Sequence, residues 1–294
     1  MNIQWFPGHM AKTRRLLTEN LNLVDVVVEL LDARIPASSK NPEIDSIVKN
    51  KPRLIVLNKS DMADPEISKD WASWYKSKGM HVIFADSIKG KGMNQLKNQL
   101  KVMMKDKFER DKQKGRIFRP IRIMIVGIPN VGKSTFINNI AKRAVTQTGD
   151  KPGVTKGKQW IRLNPEIEML DTPGILWPKF NDQNTALNLA FTGAINDDIY
   201  DVTEVAAQLA ERLSKDYPGL LAERYKLEDE NRKGYRLLEL AGAKRGCILP
   251  GGEIDLRRIA VVMLDEFRGG KIGDITLERP IWTEVEQKHE ENRP

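Results

Sequence analysis

Short apolar runs alternate with amphipathic stretches through the first 170 residues, and then the pattern changes. The runs LVDVVVELLDA (23–33), PRLIVLN (52–58), HVIFADS (81–87) and IRIMIVG (121–127) are nearly continuous in apolar residues, as strands buried on both faces are. Between them, helical spacing predicts helices around Pro65–Gly79, from about Met93 to Lys112, and from Lys133 onward. An earlier helix, around Met10–Leu21, sets Lys12, Arg14 and Arg15 beside Leu16, Leu17 and Leu21. Two further strands, near Gln159–Leu163 and Glu166–Leu170, flank the turn sequence NPE and are expected to pair as an antiparallel edge. Alternation of this kind predicts an α/β fold with a mainly parallel sheet flanked by helices. From about Pro178 the strand signals stop and helical periodicity takes over: Val205, Leu209, Leu213; Leu237, Leu238, Leu240; Ile259, Val262, Met263, Leu264. Two domains are therefore expected, an α/β domain over 1–177 with a basic N-terminal helix and a small all-helical domain over 178–294. Trp71 and Trp74, at helical spacing, read as packing residues.

The 294 residues are 40% hydrophobic and 30% charged, ample for folded cores. No apolar run is long enough to span a bilayer, and the start MNIQWFPGHMAKTRR lacks the apolar block of a signal peptide, so a cytoplasmic location without a membrane partner is expected. A single cysteine, Cys247, excludes an internal disulfide and reads as a small buried thiol; the 3 histidines are scattered and offer no zinc cluster. The net charge of +8 is uneven. Residues 1–174 carry 31 Lys and Arg against 18 Asp and Glu, a net +13; residues 175–294 carry 17 against 22, a net −5. A basic front half suits a polyanionic partner larger than one nucleotide; a solvated basic face is the other reading.

Chemistry enters with GIPNVGKS (127–134), which fits G-x-x-x-x-G-K-[ST] and lies between a predicted strand and a predicted helix. Its backbone, including Val131, Gly132 and Thr135, is expected to wrap phosphates, because closely spaced N–H groups and the positive end of a helix both favour anions. Lys133 is expected at the β- and γ-phosphates and Ser134 on Mg²⁺. In DTPG (171–174), Asp171 would hold the same Mg²⁺ and the Gly174 N–H would approach a γ-phosphate. In PGVTKG (152–157), Thr155 would complete the metal shell. NKSD (58–61) ends another strand. Asp61 can accept from both N1–H and the exocyclic amine of guanine, a donor pair that adenine lacks. Asn58 would tether loops and reach the base, and the Lys59 stem would cover its face. ADSIKGKG (85–92) supplies a companion loop, with Ser87 and the Ile88 backbone near the guanine O6.

The base loops precede the phosphate loop, the reverse of the usual GTPase order. Both signals stand if the usual chain ends are joined and new ones opened, with Met93–Pro120 as the joining piece. With WFPGHMAK, DARIP, NKSD, GIPNVGKST, PGVT and DTPGILWP, the chain resembles the circularly permuted GTPases, most closely those of bacterial ribosome biogenesis, over nearly its whole length. The resemblance implies a circularly permuted P-loop GTPase domain and a Mg²⁺-dependent GTP hydrolase. It also implies late action in assembly of the large ribosomal subunit and binding of its rRNA; no DNA partner is expected. It further implies that Asn130 helps bind a stimulatory K⁺. Where Ras-type enzymes carry a water-orienting glutamine, this chain has Ile175–Leu176, which are apolar. His9 is a candidate to position the water; a structural or RNA-contacting role for it, with the catalytic group supplied by the ribosome, stays open. The rival from another class is a GTP-binding RNA scaffold without productive turnover.

Overall fold

The computed structural model describes residues 15, 18–48, 51–116, 119–142, 160–170, 182–229 and 231–282. These fall into two compact units, one of residues up to 170 together with 278–282, the other of residues 182–277. The boundary expected after residue 177 lies outside the described residues.

The first unit is built on six strands: β1 (Val26–Asp32), β2 (Arg53–Asn58), β3 (His81–Ala85), β4 (Ile121–Gly127), β5 (Trp160–Asn164) and β6 (Ile167–Leu170). Their order is β3-β2-β1-β4-β6-β5. All pairings are parallel except β5 with β6, so the mainly parallel sheet and its antiparallel edge are both present. The helices are α1 (Pro42–Ile47), α2 (Pro65–Ser77), α3 (Met93–Gln113) and α4 (Lys133–Ala141). Helix α1 has no counterpart among the sequence expectations; at six residues it is too short for periodicity to reveal, though Asn41 caps it and Pro42 opens it. Of the expected basic N-terminal helix, Arg15 and residues 18–21 are described, and they are helical.

Every residue of β1 is buried, because this strand lies between β2 and β4. Its acidic residues are tolerated there through cations brought by neighbours. Glu29 meets Arg53 of β2 at 2.9 Å, and Asp32 meets Arg34 at 2.8 Å. Just before the strand, Asp25 receives both Arg119 guanidinium nitrogens at 2.8 Å, the Arg122 N–H at 3.0 Å, and Lys107. Lys107 belongs to α3 and Arg119 lies two residues before β4, so one carboxylate fastens the joining piece at two points.

Trp71 is buried and forms an edge-on cluster with Trp74, centroids 5.5 Å apart. Both indoles donate to a later segment, Trp71 Nε1 to the Glu278 carbonyl at 2.9 Å and Trp74 Nε1 to that of Ile281 at 3.1 Å. The Glu278 carboxylate accepts from the N–H groups of Ala37 (2.7 Å) and Ser38 (3.0 Å) and from the Ser38 hydroxyl. Residues 278–282, assigned by sequence to the helical part, are thus bonded to the α/β unit. His81 opens β3 as expected, but on the sheet edge, exposed and within 2.8 Å of Gln99 Nε2.

The second unit comprises α5 (Gln183–Phe191), α6 (Val202–Asp216), α7 (Leu220–Tyr225), α8 (Gly234–Arg245) and α9 (Leu256–Arg268), with a 3-10 turn at Asp197–Ile199. Val205, Leu209, Leu213, Leu237, Leu238, Ile259, Met263 and Leu264 are buried as their spacing predicts, whereas Leu240 and Val262 are half-buried. Gly234 is required where α8 meets α6, since a Cβ there would lie 1.9 Å from the Ala207 carbonyl oxygen. Cys247 is a free, buried thiol. No helix among the described residues is long and apolar enough to cross a membrane.

Candidate nucleotide site

A parallel sheet directs the ends of its strands to one edge, and that edge collects the base, companion and phosphate loops. Asp32, Asn58 and Ala85, the last residues of β1, β2 and β3, are register partners in turn, and Gly127 ends β4 opposite Leu30. The chain winds from β1 through β2 to β3 on one side, then returns through α3 to β4 on the other. Crevices for ligands open at such reversals, outside the carboxyl ends of the strands. Sequence order is therefore rewired while the loops meet at one place.

Asn58 holds them together. Its Nδ2 donates to the Val131 carbonyl in the phosphate loop at 2.7 Å, and its Oδ1 accepts from Ser87 Oγ at 2.6 Å, all buried. Both amide functions are thus used, one on each neighbouring loop. The Ser60 N–H and hydroxyl add two bonds of 3.1 Å to the Ala85 carbonyl. A residue absent from the sequence expectations completes the frame: Asn139 of α4 donates to the Ser87 carbonyl at 2.5 Å. It belongs to no motif and is half-buried in its helix, so only the fold reveals it.

The phosphate loop runs from Gly127 into α4. Gly132 has φ +93°, and a Cβ on it would stand 2.5 Å from Asn58 Nδ2; glycine is needed for conformation and approach alike. Asn130 also takes a positive φ, 57°, so two left-handed residues curl the five-residue approach to the helix. Helices α1 and α2 begin with capping side chains, Asn41 and Asp64. Helix α4 begins with glycine, which has none, and Lys133, Ser134 and Thr135 form its first turn, where anions are favoured. Of the expected Mg²⁺ ligands, Ser134 sits in that turn with an oxygen donor suited to a hard cation; Thr155 and Asp171 lie outside the described residues, as do Gly174 and His9. Among the described residues no group of three or more His, Cys, Asp and Glu could hold a metal.

Asp61 is about one-fifth exposed, with Lys89 Nζ 3.7 Å away. The Ile88 N–H, expected near guanine O6, donates to Asp86 Oδ1 at 3.0 Å, and the Lys89 N–H donates to the same oxygen at 2.9 Å. Asp86 thereby shapes the companion loop. Lys59, at φ +58°, places its Nζ 2.9 Å from Asp32. Burial raises a carboxyl group's pKa, but Arg34 and Lys59 outweigh it and hold Asp32 far below the ordinary 3.8. An acid at the end of an apolar run with an arginine two residues on was the available signal for this pair.

Residues 122–224 match a family model described as a 50S ribosome-binding GTPase. The chain is 51% identical over 280 residues to ribosome biogenesis GTPase A of Bacillus cereus, covering 95% of each. It is 48% identical over 288 residues to that of Priestia megaterium, covering 98% of this chain and 99% of the other. Two solved structures of YlqF from T. maritima superpose on it. The GNP-bound form has a TM-score of 0.63 at 29% identity, over 92% of this chain and 98% of that one. The GDP-bound form has a TM-score of 0.64 at 28%, over 90% and 99%. With the base, companion and phosphate loops gathered at one sheet edge and about half of all residues shared over nearly the full length, the chain belongs to the ribosome biogenesis GTPase A family.

Proposed function

We propose that this protein hydrolyses GTP to GDP and phosphate, and that its nucleotide state controls docking on, and release from, a late precursor of the large ribosomal subunit. The observation that carries the reading is the Asn58 junction, which ties base loop, companion loop and phosphate loop into one frame. The relatives' names, and the 50S-binding description of the matched family, supply the ribosomal partner, and the net +13 of residues 1–174 suits its rRNA.

In this reading Asp61 selects guanine, the α4 N-terminus and Lys133 bind the phosphates, and Ser134 with Thr155 and Asp171 holds Mg²⁺. That ion, when bound, neutralises charge on the β- and γ-phosphates. Gly174 contacts the γ-phosphate. Asn130 would ligate a K⁺ that adds positive charge beside the phosphates. His9 orients the attacking water, because Ile175 and Leu176 at the glutamine position are apolar and cannot. The test is GTP turnover by the purified chain with and without large ribosomal subunits, in K⁺ and in Na⁺. Acceleration by subunits supports the reading. Binding of GTP and subunits with no turnover in any condition would leave the RNA scaffold in its place.

A further inference from the structure

Asp32 opens DARIP, a segment given no nucleotide contact above, and the chemistry proposed above does not use it. It ends β1 with its carboxylate 2% exposed. Arg34 forks onto it, Nε to Oδ1 at 2.9 Å and Nη2 to Oδ2 at 2.8 Å. The Arg34 N–H adds a bond to Oδ1 at 3.1 Å, and the Asp32 N–H donates to Ser39 Oγ at 3.0 Å. The carboxylate is therefore fixed before Lys59 meets it at 2.9 Å. Lysine is a flexible residue that normally sends its ammonium into water. Here the ammonium is pinned inward and the side chain is only 20% exposed. Lys59 stands between Asn58, which ties the loops, and Asp61, the expected acceptor for guanine. With the backbone turned at φ +58° and the far end anchored at β1, the four-carbon stem is held along the base-binding edge.

We propose that Asp32 is a positioning residue for the purine: by holding the Lys59 ammonium it presets the lysine stem as an apolar wall against one face of the guanine ring. The inference rests on the guanine-site reading and adds to it the group that organises the wall before nucleotide arrives. Without the anchor, each binding event must immobilise a free lysine, and affinity falls by the ordering that was previously built in.

The test uses the full chain as the parent, Asp32→Asn, Lys59→Met and the double variant. GDP and IDP affinities are measured by fluorescence titration, KM and kcat by GTP turnover, and melting temperature separately. Lys59→Met keeps an apolar stem, removes the ammonium and leaves the Asp32–Arg34 pair whole, so it stays informative if Asp32→Asn folds poorly. Each single variant should weaken GDP binding about tenfold, and the double variant about tenfold rather than hundredfold, because both remove one coupled interaction. The loss should appear in KM more than in kcat, and the GDP-to-IDP ratio should hold, since the stem meets the ring face and not the exocyclic amine. GDP binding by Lys59→Met at the parent's affinity, or additive losses in the double variant, would overturn the proposal alone. Failure of the parent to bind GDP would overturn the guanine-site reading along with it.

Discussion

Replacing Asn58 separates the contribution of a tether from that of a base contact, because the structure gives each end of its amide a distinct partner. Asn58→Ala removes the bonds to the Val131 carbonyl and from the Ser87 hydroxyl. At roughly 1 kcal/mol net for each, the frame loses about 2 kcal/mol. Asn58→Asp keeps the acceptor for Ser87 but turns a carboxylate oxygen toward the Val131 carbonyl, where 2.7 Å formerly separated donor from acceptor. Two acceptors then face each other in a site that is 1% exposed, and the unmatched buried charge costs on the order of 3–5 kcal/mol. The nearly isosteric substitution should therefore be the more harmful one. A 2 kcal/mol loss appearing wholly in nucleotide binding weakens GDP about 30-fold, and 4 kcal/mol nearly a thousandfold. Urea denaturation with and without saturating GDP divides each loss between folding and binding. If Asn58→Asp binds GDP as well as Asn58→Ala or better, the amide nitrogen does not face the Val131 carbonyl and Asn58 is not the tether.

Asp61→Asn should lose about 2–4 kcal/mol of GTP binding and improve binding of xanthine nucleotides, read by competition titration; retained guanine preference would show the base loop to be misassigned. Asp25 contributes stability through pH: burial raises its pKa, but the bonds from Arg119, Lys107 and the Arg122 N–H overcome that and hold it at about 2 against an ordinary 3.8. A lowered folded-state value means the contribution is full above 3.8 and lost as pH falls through about 2, so the parent's advantage over Asp25→Asn should shrink from about 2 kcal/mol at pH 6 toward zero near pH 2 in urea denaturation; an advantage independent of pH would refute the linkage. His9→Ala should lower subunit-stimulated turnover by roughly 10²-fold or more while sparing GTP binding, and Asn130→Ala should abolish any preference for K⁺ over Na⁺ in the same assay; parental turnover by His9→Ala at saturating subunits would move the catalytic group to the ribosome. Alanine at Lys12, Arg14 and Arg15 together should weaken subunit binding and flatten its log–log salt slope by roughly one for each lost phosphate contact, an unchanged slope excluding this segment as the contact.

The sheet was legible because each strand carries its burial in its composition. Val26–Leu31 and Leu54–Leu57 are apolar enough to require two covered faces, and the loops that follow bear motifs whose spacing is dictated by phosphate and purine geometry. The permuted order could be read for the same reason, since a motif keeps its meaning wherever the chain is opened. What stayed hidden are interactions whose partners are distant in sequence or carry no pattern of their own. Asp25 looks like a flaw in an apolar run until Lys107 of α3 and Arg119, just before β4, reach it. Asn139 is one polar residue among several in a helix, and nothing local marks it as the support for Ser87. His81 has a strand's neighbours, yet it opens an edge strand, a distinction that only the pairing order makes.

Glu278 gives the α/β unit a history in time. The Ala37 and Ser38 N–H groups it receives are made some 240 residues before it. At a synthesis pace of about 5–20 residues per second, the segment after β1 stands without this partner for roughly 12–48 s. Trp71 and Trp74 likewise lack the carbonyls that take their indole hydrogens until a further 207 residues have followed each of them. A nascent chain halted before residue 278 would therefore carry its nucleotide motifs complete but its aromatic flank open. Such a product should be distinguishable by early proteolytic cutting near residues 36–40, and the arrival of residues 278–281, rather than completion of the motifs, marks the moment at which the unit closes.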